Sequence, residues 1–256
     1  MQTIYYDIRE MARAIVHGAP SPAFYGECAF FLEKSCLFFE RDAKVAGIRD
    51  KVMLLLAEDW GHGMGHSRKV AVEAGALIFM EGMASGIREE ASLDHLMRLA
   101  HCAGLLHDIC RKEKNHAEKG AVMAQGILDE EGFSERDVAG VCEAIRRHEA
   151  FRHYPEAEAL SLNTDLLVSC LYDADKFRWG PDNFTHTVWD MLASARVPVH
   201  AFLKGYPQGI AGIARIRETF RSHYGRRFGP EFIDIGMGIA ARVYVAVLER
   251  YGRDGG

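Results

Sequence analysis

Residues 92–109 read SLDHLMRLAHCAGLLHDI. Leu93, Leu96, Ala100 and Gly104 recur at spacings of three and four, so they share one face of a helix that Ser92 can cap. His107 continues the stripe and Asp108 follows it. An imidazole and a carboxylate at the end of an apolar face are costly to bury unless they find partners or a metal ion. The small residues Ala100 and Gly104 leave room for another helix to approach closely.

The same helical period runs outward from this segment. Arg49 to Glu58 is apolar on one side through Val52, Leu55 and Leu56. A helix from about Met64 to Met80 aligns His66, Val70, Ala74 and Leu77. Ser134 and Asp137 make a capping-box-like start for a helix presenting Val138, Val141 and Ile145, with His148 next on that face. Asp165 to Phe177 offers Leu167, Leu171 and then Asp175. Three further helices are expected around Phe184–Leu203, Ile210–Tyr224 and Glu231–Leu248, and the tail Glu249 to Gly256 is expected to fray. No proline occurs between Pro22 and Pro155, so long helices are allowed there; a proline inside a helix costs about 3 kcal/mol. Strands with period-two alternation are hard to find, and the chain reads as all-α. Breaks are expected at Gly61-His62-Gly63, Lys112 to Asn115, His153-Tyr154-Pro155 and Gly180-Pro181-Asp182, the last being the one seam suited to a domain boundary.

With 256 residues, 48% of them hydrophobic, the chain can build a substantial core without disulfide staples. The net charge of −5 and the absence of a strong basic run argue against a dedicated nucleic-acid or membrane-surface binder. The start, Met1 to Glu10, has no apolar run, and no stretch reaches about 18 uncharged apolar residues. The six cysteines form no CxxC pair and read as buried free thiols, which places the protein in a reducing, cytoplasmic setting.

Chemistry gathers on the inner faces. His66, His107, His116 and His148 lie on or at the ends of apolar stripes, joined by Asp108 and Asp175. Imidazole nitrogen together with carboxylate oxygen suits Zn, Mn, Fe or Ni rather than Ca.

The doublet in Leu105-Leu106-His107-Asp108-Ile109 resembles the signature of the HD superfamily of metal-dependent phosphohydrolases. The upstream histidine of that pattern fits His66, in the run His62 to Val70, and the closing aspartate fits Asp175 rather than Asp173, in Tyr172-Asp173-Ala174-Asp175-Lys176-Phe177. The likeness runs from about Asp59 to Arg178, under half of the chain. Two more positions look like the binuclear branches of that superfamily: His116, followed by Ala117-Glu118-Lys119-Gly120-Ala121, and His148, in Ile145-Arg146-Arg147-His148-Glu149. The gap of eight residues from Asp108 to His116 is shorter than in some binuclear relatives. The resemblance implies an all-α HD-domain bundle with extra N- and C-terminal helices. The whole of 1–256 would be a single domain, with its HD core at about 50–178, N-terminal helices in 1–49, and helices in 182–250 packed on that core.

It also implies one or two divalent ions (Fe, Mn, Zn, Ni or Mg). Asp108 would bridge them, with His66, His107 and Asp175 on one ion and His116 and His148 on the other. The implied activity is hydrolysis of a phosphoester or phosphoanhydride of a small molecule, a nucleotide by preference, by metal-activated hydroxide. Arg111 would stabilise charge on phosphoryl oxygens through its planar fork, and His62 or Lys112 would protonate the leaving oxygen. Two alternatives stay open: a di-iron oxygenase of the same superfamily cleaving a C–C or C–P bond, and a non-catalytic nucleotide-binding domain. His95 and His101 read as surface or supporting residues, Cys110 as packing, and Arg146 and Arg147 as a solvated face in preference to a contact with an anionic substrate. The aromatic runs Phe30-Phe31-Leu32 and Leu37-Phe38-Phe39 read as core or a helix–helix contact, and leave a homodimer open.

Overall fold

The computed structural model describes residues 2–55, 62–152, 154, 160–185, 188, 189, 192 and 196–252. Among these the chain is all-α. The helices are α1 (Gln2–His17), α2 (Ala23–Glu27), α3 (Ala29–Arg41), α4 (Ala43–Leu55), α5 (His62–Ala84), α6 (Glu90–Leu106), α7 (His116–Glu130), α8 (Glu135–Arg146), α9 (Leu162–Phe177), α10 (Val199–Ala214) and α11 (His223–Tyr251). Short 3-10 turns occupy Pro181–Phe184 and Arg215–Glu218. No helix among the described residues is long and apolar enough to cross a membrane.

The chain falls into two compact units. One comprises Phe24–Asp175 and Phe220–Arg227; the other comprises Met1–Ala23, Lys176–Thr219 and Phe228–Gly256. Of the segment read as the core at 50–178, residues 50–175 share a unit with residues 24–49 and with eight residues from far down the sequence, while 176–178 fall in the other unit.

In the first unit α6 is the central helix. It packs against α3, α4, α5, α7 and α8, and its second half, Leu99 to Leu106, is buried all round. Gly104 explains how α5 comes so near: a Cβ there would lie 2.4 Å from the Cα of Ala71. The stripe Val70, Ala74 and Leu77 on α5 is fully buried, as its spacing implies. Ser134 caps α8, its Oγ accepting the N–H of Asp137 at 3.2 Å. Ser92 does not cap α6; the helix begins two residues earlier, and Ser92 Oγ donates to Glu89 Oε2 at 2.9 Å. Leu55 is exposed rather than part of a buried face, and Leu56 lies outside the described residues. In the aromatic run of α3 Phe39 is buried, whereas Phe30 and Leu37 are exposed. Five of the six cysteines are buried, Cys36 is half-buried, and all are free thiols.

His101 departs from the sequence reading. It is fully buried, with Nε2 2.8 Å from Ser35 Oγ on α3. Ser35 donates its own proton to the Val72 carbonyl at 2.7 Å, so Oγ accepts from His101 Nε2–H and Nδ1 carries the lone pair. A second proton would charge a ring that has no water around it, and burial pushes the His101 pKa down to about 3. His95 pairs with Asp137 on α8 at 2.9 Å.

The second unit has its own core, built from Tyr5, Ile8 and Ala12 of α1, Phe202 and Tyr206 of α10, Ile239, Ala240, Val243 and Val247 of α11, and Phe184 and Trp189. The buried polar tips are satisfied: Tyr5 donates to the Val197 carbonyl at 2.8 Å and Trp189 Nε1 to the Phe184 carbonyl at 2.7 Å. The expected helix limits fail here. Pro207 lies inside α10 and Pro230 inside α11. Pro207 is exposed, while Phe202 and Tyr206 of the same helix are buried in the core. Glu249 to Tyr251, expected to fray, are helical: α11 runs to Tyr251, and Arg250 Nε lies 2.9 Å from Asp7 Oδ2; residues 253–256 lie outside the described residues.

Two measurements test this packing. Gly104→Ala should lower the stability to urea by about 1–3 kcal/mol or more, since backbone must move to admit the methyl. His101 should make stability fall with acidity. Between pH about 3 and 6.5 the unfolded chain binds a proton that the folded chain refuses, so the loss is about 2 kcal/mol from pH 7 to pH 5. Comparison with His101→Gln isolates it: the stability gap between the two proteins should shrink by that amount, and a pH-independent gap would mean that the ring is not held neutral.

Candidate metal centre

Five pieces of helix or turn bring six side chains together. His66 comes from the second turn of α5, and His107 from the residue that caps the end of α6. Asp108 comes from the turn that follows α6, His116 from the first residue of α7, His148 from just after α8, and Asp175 from the last turn of α9. They form two groups, His66–His107–Asp175 and Asp108–His116–His148, and in each group the candidate ligand atoms lie within 4.8 Å of one another.

In the first group the Nε2 atoms of His66 and His107 are 3.1 Å apart, and Asp175 Oδ1 lies 3.5 Å from the former and 3.6 Å from the latter. In the second group the Nε2 atoms of His116 and His148 are 3.3 Å apart. Asp108 divides its oxygens between the two. Its Oδ2 faces His66 and His107 at 3.8 and 3.7 Å. Its Oδ1 faces His116 and His148 at 3.7 and 3.6 Å. Ligands placed about 2.0–2.2 Å from one divalent ion stand roughly 3.0–3.5 Å apart, so both groups are near the size that one ion each requires.

The imidazoles are oriented from behind. His107 Nδ1 donates to the Gly104 carbonyl at 2.8 Å, and His148 Nδ1 to the Ile145 carbonyl at 2.6 Å. Each bond leaves the Nε2 lone pair aimed at the neighbouring ring, which is how metal-ligating histidines are held. His116 Nδ1 has a carboxylate instead, Glu149 Oε1 at 3.4 Å. Glu149 in turn lies 2.6 Å from Arg152 Nε. The sequence reading assigned Glu149 nothing, although it stands next to His148; an acid adjacent to a candidate ligand was the available signal.

The electrostatics match. Burial alone would raise the Asp108 pKa, but the imidazoles of His107 and His148 outweigh it and hold the carboxyl well below its ordinary range. Burial alone would lower His107, and the carboxylates of Asp108 and Asp175 outweigh it, holding the ring above its ordinary value. His116 goes the other way, lowered chiefly by burial.

The remaining candidates are placed less closely. Arg111 is half-buried, and its backbone N–H donates to the Asp108 carbonyl at 3.0 Å. Lys112 is exposed on the same turn. His62 begins α5, and its side chain lies outside the described residues. Arg146 contacts Glu118 and Glu143, and Arg147 contacts Glu143. Asp173, two residues before Asp175, is in neither group; its Oδ1 and Oδ2 each accept a backbone N–H at 2.8 Å, from Arg221 and Ser222. Comparison with protein-family models, curated proteins and solved structures finds no match.

Glu149→Ala should weaken whatever divalent ion sits among Asp108, His116 and His148 by about 10–100-fold and leave binding at the other group unchanged. A Mn(II) or Zn(II) titration resolves the two steps; identical isotherms for variant and wild type would remove Glu149 from the support of His116.

Proposed function

We propose that the chain is a metal-dependent phosphohydrolase of the HD superfamily, acting on a phosphoester or phosphoanhydride of a small molecule, with a nucleotide as the preferred substrate class. The observation that carries the reading is the division of Asp108, one oxygen toward each histidine pair. In this reading His66, His107 and Asp175 would hold one ion and His116 and His148 a second, with Asp108 offering one oxygen toward each group. The ions, when bound, supply Lewis acidity and make water nucleophilic near neutral pH.

The protein's own groups do the rest. The carbonyls of Gly104 and Ile145 hold the His107 and His148 rings in the tautomer that presents Nε2. Asp108 stays ionised and neutralises positive charge between the groups. Arg111, tied by its backbone to the Asp108 carbonyl, offers a bidentate fork to non-bridging phosphoryl oxygens. His62 or Lys112 returns a proton to the leaving oxygen. The di-iron oxygenase alternative needs iron and consumes O₂, so the identity of the bound ions separates the two readings.

Protein purified without oxygen or chelator should carry two divalent ions per chain and release phosphate from a panel of nucleotides and phosphoesters. His107→Ala and Asp108→Ala should lose the ions and the turnover while keeping a helical circular-dichroism spectrum, and His116→Ala should retain one ion. Wild-type turnover in the His107 or Asp108 variant would sink the site assignment. Two irons with O₂ uptake and no phosphate release would transfer the chain to the oxygenases. A protein that takes up no metal on addition of Mn(II) or Fe(II) would be neither.

A further inference from the structure

Arg221 reaches the backbone that leads into His148 from far down the sequence. It lies in Phe220–Arg227, within the same compact unit as the six candidate ligands. Its Nη1 donates at 2.9 Å to the carbonyl of Arg147, the residue before His148. The guanidinium carbon stands 3.6 Å from the centre of the Tyr172 ring. The Arg147 guanidinium lies 5.6 Å from the centre of the Tyr154 ring, and the Tyr154 hydroxyl donates to the Arg146 carbonyl at 2.6 Å. Two cations and two phenol rings therefore surround the peptide that positions His148.

The charges on these two arginines are not balanced alike. Arg147 has Glu143 at 2.5 Å. Arg221 is half-buried, and among the described residues no carboxylate pairs with its guanidinium. The acid closest in kind, Asp173, spends its oxygens on the backbone N–H groups of Arg221 and Ser222. Burial lowers the Arg221 pKa, helped by the like charge of Arg147 and opposed by Tyr172, Asp173 and Tyr154. A guanidinium has five N–H groups, and Arg221 gives one side of Nη1 to the Arg147 carbonyl. The edge formed by Nε and Nη2 has no hydrogen-bond partner among the described residues. That edge is the fork that takes two oxygens of a phosphoryl group. A carboxylate would bring one negative charge to a place where two cations meet; a phosphoryl group brings up to two.

We infer that Arg221, with Arg147 beside it, forms a phosphoryl-binding subsite next to His148, through which the substrate is held by a phosphate. The inference deepens the phosphohydrolase reading and rests on it for the word substrate, but the subsite itself is built without any of the six candidate ligands. It gives the C-terminal part of the chain, which the HD-like motifs do not cover, a direct part in substrate choice.

The test is pyrophosphate binding to the full-length chain by isothermal titration calorimetry, with metal content measured on every sample. Wild type should bind, and Arg221→Met should bind at least tenfold more weakly with unchanged metal content. Arg221→Lys, which keeps the charge and loses the fork, should fall between them, and it is read by the same criterion if Arg221→Met does not fold. The His107→Ala protein should still bind pyrophosphate in an Arg221-dependent way even though its ions are gone, so failure of the subsite and failure of the metal reading give different results. Equal affinity in wild type and the Arg221 variants overturns the inference. Loss of metal together with pyrophosphate binding in Arg221→Met also overturns it, because Arg221 would then be holding His148 in place rather than holding an anion.

Discussion

Asp108 is a charged group that its surroundings penalise, and the unit around it is arranged to keep it charged. Burial favours the neutral acid, while imidazoles on both sides favour the carboxylate and prevail. For that to happen four rings from separate elements must arrive with the right nitrogen forward. The His107 and His148 rings achieve it by the same device, an Nδ1–H given to a carbonyl three residues back at the end of a helix. Such carbonyls are the ones a helix leaves unpaired at its C-terminus. Ending α6 at Leu106 and α8 at Arg146 thus leaves a carbonyl near each helix end placed to orient a ring.

The position of α6 follows from the same requirement. A helix whose end delivers His107 and Asp108 to the middle of four others has to be buried on every side, and this one is, from Leu99 to Leu106. The absence of a side chain at Gly104 lets α5 approach, and α5 carries His66. Close packing and ligand placement are therefore one problem: a bulkier residue at 104 would move the helix that supplies the opposing imidazole.

What the sequence made legible was local. Period-3.6 stripes located α5, α6, α8 and α9, the Ser134 cap marked a helix start, and six polar residues stood out because they interrupted or ended apolar faces. What it hid was set by partners distant along the chain. His101 read as either a surface or a supporting residue because its partner, Ser35, lies on another helix, and nothing near position 101 announces it. The end of α11 was expected to fray because Asp7, at the other end of the chain, is what holds Arg250. The expected helix limits near Leu203, Ile210, Tyr224 and Glu231 failed for a similar reason: α10 runs through Pro207 and α11 through Pro230, and buried Phe202 and Tyr206 anchor α10 in the core. Glu149 needed the fold to bring His116 beside it.

Asp173 and Asp175 illustrate how closely two roles can be set in one turn. Side chains two apart on a helix point roughly 200° from each other. Asp175 faces His66 and His107, so Asp173 must face away from them. There it accepts the backbone N–H groups of Arg221 and Ser222, at the N-terminal end of α11. Burial pushes its pKa up to about 6, against the pull of those two N–H groups. The approach is close enough that residue 225 must be glycine, since a Cβ there would lie 1.9 Å from Asp173 Oδ2. A single turn of α9 thus joins the candidate metal centre to the segment that carries Arg221. The acid that takes no part in the centre anchors the backbone of the residue that reaches round to the peptide before His148.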